Sequence, residues 1–386
     1  MRWVFRVCAA VLVMAAAELW EWQHADALAQ ERLPVQKTKV DFAALEGWEK
    51  DDHRGAFAAF RRSCEKVLSL SAGKDGTGTL ADICKIATML PAKLPAQEAK
   101  LFFEQNFDPH LVTRPQTGAM LTGYFEPEVK GSLKPVKPFT TPVYAKPDDL
   151  TLLTRLANRD TLPADLTAAR ATPQGLAPYY TRREIDEGAL QGRGLEIAYL
   201  ANPYEAFIMQ IQGSGLIRLP DGKGLRIGFA AKNGHPYTSV GKLLIERGEM
   251  ESHAASMQSV MEWVRINNQR GKELMWENKS YAFFRVLSTA EASEGPQGAL
   301  QLPLSAGRSL AVDPRYHQLG TPIWVAAPSL KDLQNKPVAR LLVAQDTGSA
   351  IKGPVRGDLF WGSGAEAGKI AGRTKHICDF YVLVPK

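Results

Sequence analysis

Residues 341 to 361 read LLVAQDTGSAIKGPVRGDLFW. The apolar run Leu341 to Ala344, followed by glycine-punctuated turns, predicts a buried strand, with Asp346 just beyond its end on a rigid support. A second carboxylate, Asp358, follows another glycine turn, and Leu310-Ala311-Val312 delivers Asp313 in the same manner. Two carboxylates flanking a glycosidic bond can cleave it, one as acid and the other as base or nucleophile. A single protonated Asp in an apolar cleft can instead act first as acid and then as base, if a hydroxyl of the substrate supplies the nucleophile at high effective molarity. Each aspartate could equally cap a turn through its own side chain. The string Asp346-Thr347-Gly348-Ser349 also matches the signature of aspartic proteases. Those enzymes need two such aspartates sharing a proton, and the chain holds no second Asp-Thr-Gly or Asp-Ser-Gly.

The elements that must position these residues change character along the chain. Phe42 to Leu70, Leu80 to Leu90 and Ala96 to Phe107 have helical spacing, with Pro91 and Pro95 as breaks. From Gly118 a strand carries Thr122, Tyr124, Phe125 and Glu126, and short strands then alternate with proline and glycine, as in a small barrel or sandwich. Asp221-Gly222 reads as a hairpin turn. In FIMQIQGSG, 207 to 215, the spacing places Gln210 and Gln212 on one face of a strand ending at Gly213-Ser214-Gly215. Paired amides there suit sugar hydroxyls, or simply a solvent-facing strand side. Ser239 to Trp276 returns to helical spacing, and strands resume from Ser280.

A chain of 386 residues suggests two domains. Its net charge of +6 comes from scattered Lys and Arg, which argues against a nucleic-acid groove and fits an acidic polymer better. Arg2 and Arg6, the apolar run Val7 to Ala17 and Ala27-Leu28-Ala29 form a signal peptide, 1–29, cleaved before Gln30; an uncleaved anchor is the alternative. Cys8 has no lipoprotein-type leader before it, so lipid anchoring is not expected. Export leads to an oxidising compartment, where Cys64 and Cys84 can pair. Cys378 is left over in an apolar strand. No metal-ligand spacing of Cys or His occurs, so neither a metal nor a cofactor is expected.

Five strings in order, LTGYFEPE (121–128), QIQGSG (210–215), NGHPYTSVGKLL (233–244), SLAVDPRYHQLGTPIWV (309–325) and AQDTGSAIKGPVRGDLFWGSG (344–364), resemble the membrane-bound lytic murein transglycosylase A family. The C-terminal part is similar to its "3D" domain, whose three aspartates would be Asp313, Asp346 and Asp358. The resemblance implies a mainly β fold with flanking helices. Residues 30–125 and 279–386 would make a double-psi β-barrel domain, and 126–278 an inserted smaller β-barrel domain across a groove. It implies a periplasmic lyase acting on peptidoglycan glycan strands, with Asp346 as the catalytic acid and base. Asp313 and Asp358 would be supporting carboxylates, and Thr122, Gly123, Tyr124, Gln212, Ser214 and Lys352 substrate contacts. The expected protein is a monomer without cofactor, whose partners beyond the glycan would be cell-wall synthases or amidases. Wall-loosening proteins with similar barrels bind polysaccharide without cleaving it, which is the non-enzymatic alternative.

Overall fold

The computed structural model describes residues 35–71, 79–114, 118–153, 162–288, 294–332 and 334–386. The signal segment lies outside the described residues. Among these residues the strands form mixed sheets with helices packed against them.

The largest sheet has nine strands. Across its middle run Pro322–Lys331, Pro337–Thr347, Ser309–Val312, Arg356–Ser363 and Met120–Glu126, each hydrogen-bonded to the next. The strand Pro337–Thr347 is covered on both faces, which explains its unbroken apolar run rather than an alternation. Leu341 and Val343 pack under helices, whereas Leu342 and Ala344 enter a second core with Leu310, Val325 and Phe380.

The helical cover is His53–Ser71, Leu80–Met89 and Ala96–Asn106, as the spacing predicts. On the first of these, Ala56, Phe57, Phe60, Cys64 and Val67 recur at helical intervals and bury one stripe. Phe57 and Phe60 meet Phe102 and Phe103 of the third helix largely edge to face. A disulfide joins Cys64 to Cys84 across a separation of 20 residues, and Cys378 is a free buried thiol. By loop-closure entropy such a bridge stabilises the fold by about 3 kcal/mol. Asp51 ties this layer to the sheet by accepting two hydrogen bonds from Arg308, at 2.7 and 2.8 Å, and one from the Leu341 amide at 2.9 Å.

A six-stranded sheet is drawn entirely from residues 128 to 286, and a three-stranded one from 150 to 178. Ser214–Arg218 and Gly224–Lys232 form the hairpin expected around Asp221-Gly222. One expectation fails here. The segment carrying Gln210 and Gln212 is a helix, Pro203–Gln212, and not a strand. Proline sits in its first turn, where a missing N–H costs nothing, and Gly213 closes it at φ +81°, a conformation glycine adopts without strain.

Candidate active site

The register of the large sheet assembles the site. Ala311 lies opposite Asp346 on one side and opposite Asp358 on the other, and Asp358 in turn lies opposite Thr122. Cross-strand partners present their side chains to the same face, so Asp346, Ala311, Asp358 and Thr122 form one row. Two strand spacings separate the two aspartates, about 9.5 Å between α-carbons. The small methyl of Ala311 leaves the space between them open. A bulge places Gln345 opposite the Leu310–Ala311 step, and this extra residue sets Asp346 in register with Ala311. Gln345 points the other way and is buried, donating to the Ala59 carbonyl at 3.1 Å and to Ser63 Oγ at 2.8 Å.

Asp346 is held by three donors. Its Oδ1 accepts from the backbone amides of Ala299, 2.9 Å, and Thr347, 2.8 Å. Its Oδ2 accepts from the Tyr124 hydroxyl at 2.8 Å. With both amides fixed on Oδ1, Oδ2 is the oxygen left to carry a proton. The loop bearing Ala299 can come this close because residue 298 is glycine: a Cβ there would stand 2.6 Å from the Gln345 carbonyl. Tyr124, Leu304, Ala311 and Phe360 form an apolar cluster beside the carboxylate. Desolvation by this surround outweighs the three hydrogen bonds and pushes the Asp346 carboxyl up to about 6. Asp358 is also raised to about 6, chiefly by burial. Its hydrogen bond from Thr122, 2.5 Å, and the nearby Arg356 oppose the shift, while the charge of Asp346 adds to it. Burial and Asp346 likewise keep the Tyr124 phenol protonated.

Both aspartates open into one groove between the large sheet and the inserted region. Its opposite wall brings Lys232, Gln210, Ile211 and Gln212 to the turn Thr347 to Ser349. Thr122, Gly123 and Tyr124 line it, and Ser214 lines its far end. Gly123 is also required by packing, since a Cβ there would lie 2.5 Å from the Trp361 indole nitrogen. The helix changes what the glutamines can do. Gln212 accepts from the Phe125 amide at 2.9 Å, and Gln210 accepts from Arg182, a buried guanidinium that also donates to the Asn278 and Ser280 carbonyls. Both amide oxygens therefore hold the groove wall in place. Lys352 is exposed on the loop after Ser349 and is not among the residues lining the groove.

Asp313 does not join the other two aspartates. It is 0% exposed and outside the groove lining. Its carboxylate accepts from the Arg315 side chain at 2.7 Å, the Arg315 amide at 3.1 Å and the Gly353 amide at 2.8 Å. Burial alone would raise it, but these donors win and hold it at about 2. It pins the turn after its strand to the loop beyond Asp346. Ala299, Ala311, Arg182 and Lys232 were not singled out from the sequence; each acquires its place through contacts distant along the chain.

A groove with a desolvated carboxyl at its floor is a site able to hold and release a proton. The MltA specific insert domain matches residues 120–285 and the 3D domain matches 308–384. The chain belongs to the membrane-bound lytic murein transglycosylase A family. A structure of a membrane-bound lytic murein transglycosylase from Agrobacterium tumefaciens is 36% identical, with a TM-score of 0.82 over 91% of this chain and 98% of that one. The membrane-bound lytic murein transglycosylase A of Vibrio cholerae is 34% identical over 68% of this chain, and the match spans 64% of that protein's length. The Escherichia coli protein crystallised with bound chitohexaose is 26% identical, with a TM-score of 0.64 over 91% of this chain and 92% of that one. Among the described residues no helix is long and apolar enough to cross a membrane.

Proposed function

We propose that the chain is a periplasmic lytic transglycosylase that cleaves the β-1,4 bond between N-acetylmuramic acid and N-acetylglucosamine in peptidoglycan, with Asp346 as its acid and base. The observation that carries this reading is the Asp346 carboxyl, pushed up to about 6 by burial and oriented by Ala299, Thr347 and Tyr124 at the floor of the groove. Protonated on Oδ2, it donates to the glycosidic oxygen as the C1–O bond breaks and the muramic ring gains oxocarbenium character. The resulting carboxylate then takes the proton of the C6 hydroxyl while that oxygen closes on C1. The product is a 1,6-anhydro end, no water is consumed, and Asp346 is returned to its acid form. The Tyr124 hydroxyl follows the charge on Oδ2 through the cycle, and Asp358 with Thr122 supplies a hydrogen-bonding group on the same row.

The domain division at 30–125, 126–278 and 279–386 is part of this reading. Sheet membership supports its first boundary and moves the second: the six-stranded sheet takes its strands from 128 to 286, so Ala282–Val286 belongs with the inserted region and not with 279–386. We take the large sheet as a double-psi barrel, consistent with its two parallel pairs, Ser309–Val312 with Pro337–Thr347 and Arg356–Ser363 with Met120–Glu126. The Cys64–Cys84 bridge supports an oxidising compartment.

The test is to incubate protein starting at Gln30 with insoluble murein sacculi and identify released muropeptides by mass spectrometry, alongside Asp346→Asn. Products lighter by one water than hydrolytic ones, absent with the variant, are expected. Products with reducing ends would mean a hydrolase in which Asp358 acts as second carboxylate, and binding without release would mean a polysaccharide-binding protein.

A further inference from the structure

Lys232 ends the strand Gly224–Lys232 in the groove wall opposite Asp346. Its Nζ donates to Ser349 Oγ at 2.6 Å, so it crosses to the turn three residues beyond Asp346. Burial, with the nearby charge of Lys352 adding to it, brings its ammonium down to about 8. Among the described residues, no ion pair joins either lysine to a carboxylate. Asp346 does not neutralise them in the state that begins the reaction, because an acid catalyst starts protonated. Lys232 thus stands in the wall of a groove that must receive substrate, and Lys352 is exposed on the loop one residue beyond the lining residue Ile351. Burial of the Lys232 ammonium without a counter-charge costs free energy until an anion arrives.

A glycan backbone is neutral. In the substrate class proposed above, on which this inference rests, negative charge sits on the C3 substituent of the muramic sugar: the lactyl carboxylate when that group is free, or the carboxylates of the peptide attached to it. We propose that Lys232 and Lys352 together receive a carboxylate carried by the C3 substituent of the muramic sugar held over Asp346, so that the groove selects anionic strands over neutral chitin-type ones. Lysines suit this task because a point charge on a flexible stem follows a mobile carboxylate, whereas a guanidinium fork fixes one geometry. Lys232 comes from the inserted region and Lys352 from the loop after Asp346, so a bound carboxylate also bridges the two walls. Substrate without that charge lacks the bridge.

Binding is measured in the Asp346→Asn background, which removes turnover, with three probes: glycan strands bearing intact stem peptides, strands stripped of peptide that keep the free lactyl carboxylate, and chitohexaose. Lys232→Gln combined with Lys352→Gln should raise Kd for anionic strands by about tenfold or more while chitohexaose changes less than about twofold. Lys232→Arg with Lys352→Arg should restore much of the affinity, and unchanged melting temperatures would show that the variants fold. Loss confined to peptide-bearing strands assigns the stem carboxylates; loss on stripped strands as well assigns the lactyl group. Equal loss on chitohexaose, or no loss on either anionic strand, would overturn the proposal. Charge-selective binding in a protein that releases no anhydro products would sink the reaction and leave the carboxylate site supported.

Discussion

Asp346 and Asp313 are delivered by the same device and end in opposite states. Asp346 is the last residue but one of the strand Pro337–Thr347 and Asp313 the first residue after Ser309–Val312, and the two strands are parallel neighbours. Asp346 meets a phenol, two amides and an apolar cluster, and its carboxyl rises to about 6. Asp313 meets a guanidinium and two amides, and is held at about 2. Desolvation raises both carboxyls; at Asp313 the Arg315 guanidinium together with the Gly353 and Arg315 amides outweighs it, whereas the uncharged donors at Asp346 do not. Position at a strand end therefore makes a carboxylate presentable, and its neighbours decide whether it can hold a proton.

The largest expected effect separates the two directly. Asp346→Asn should lower turnover of sacculi by about a thousandfold or more, whereas Asp313→Asn should leave kcat within about threefold. Asp358→Asn should fall between them, with a loss of roughly tenfold to a hundredfold, since it removes a hydrogen-bonding group but not the proton carrier. Tyr124→Phe should cost about tenfold and push the Asp346 carboxyl higher still, because the phenol's hydrogen bond lowers it. A shift of the alkaline limb of the pH–rate profile to higher pH would show that, and a loss of rate without the shift would assign Tyr124 to sugar binding alone.

The smallest effects are on stability, and they have opposite signs. Asp346 is raised above its ordinary 3.8, so its favourable contribution is present below about 4 and is lost as pH rises through about 6. Asp313 is depressed, so its contribution is present above about 4 and is lost as pH falls towards 2. At pH 7.5 Asp346→Asn should therefore stabilise the protein and Asp313→Asn should destabilise it, each by on the order of 2 kcal/mol. Denaturant unfolding at that pH gives both numbers. Shifts of the same sign would break the comparison.

What could be read beforehand follows the range of the interactions. The strand before Asp346 is legible because burial on both faces writes itself as four consecutive apolar residues, Leu341 to Ala344. The helical layer is legible for the corresponding reason, a repeat at three and four. In the helix Pro203–Gln212 the residues Phe207, Met209 and Ile211 alternate as a strand would, which hides it; Asn202-Pro203 before it and Gly213 after it are the local signals that mark a helix. The separation of Asp313 from the site could not be read, because it depends on Arg315 turning back on it and on an amide 40 residues away. The donors to Asp346 are hidden likewise, Tyr124 lying 222 and Ala299 47 residues off. The row through Ala311 needs the sheet register, which no local pattern encodes.

The central claim is that desolvation leaves Asp346 protonated where Asp313 is not. Carboxyl carbon NMR of the aspartates, titrated from pH 2 to 8 and assigned with Asp346→Asn and Asp313→Asn, tests it, and repetition in Asp358→Asn separates Asp346 from its coupled neighbour. The account predicts that Asp346 titrates near 6 in both backgrounds and Asp313 near 2. An Asp346 midpoint at or below the ordinary 3.8 would contradict it, because the site would then hold no proton to give.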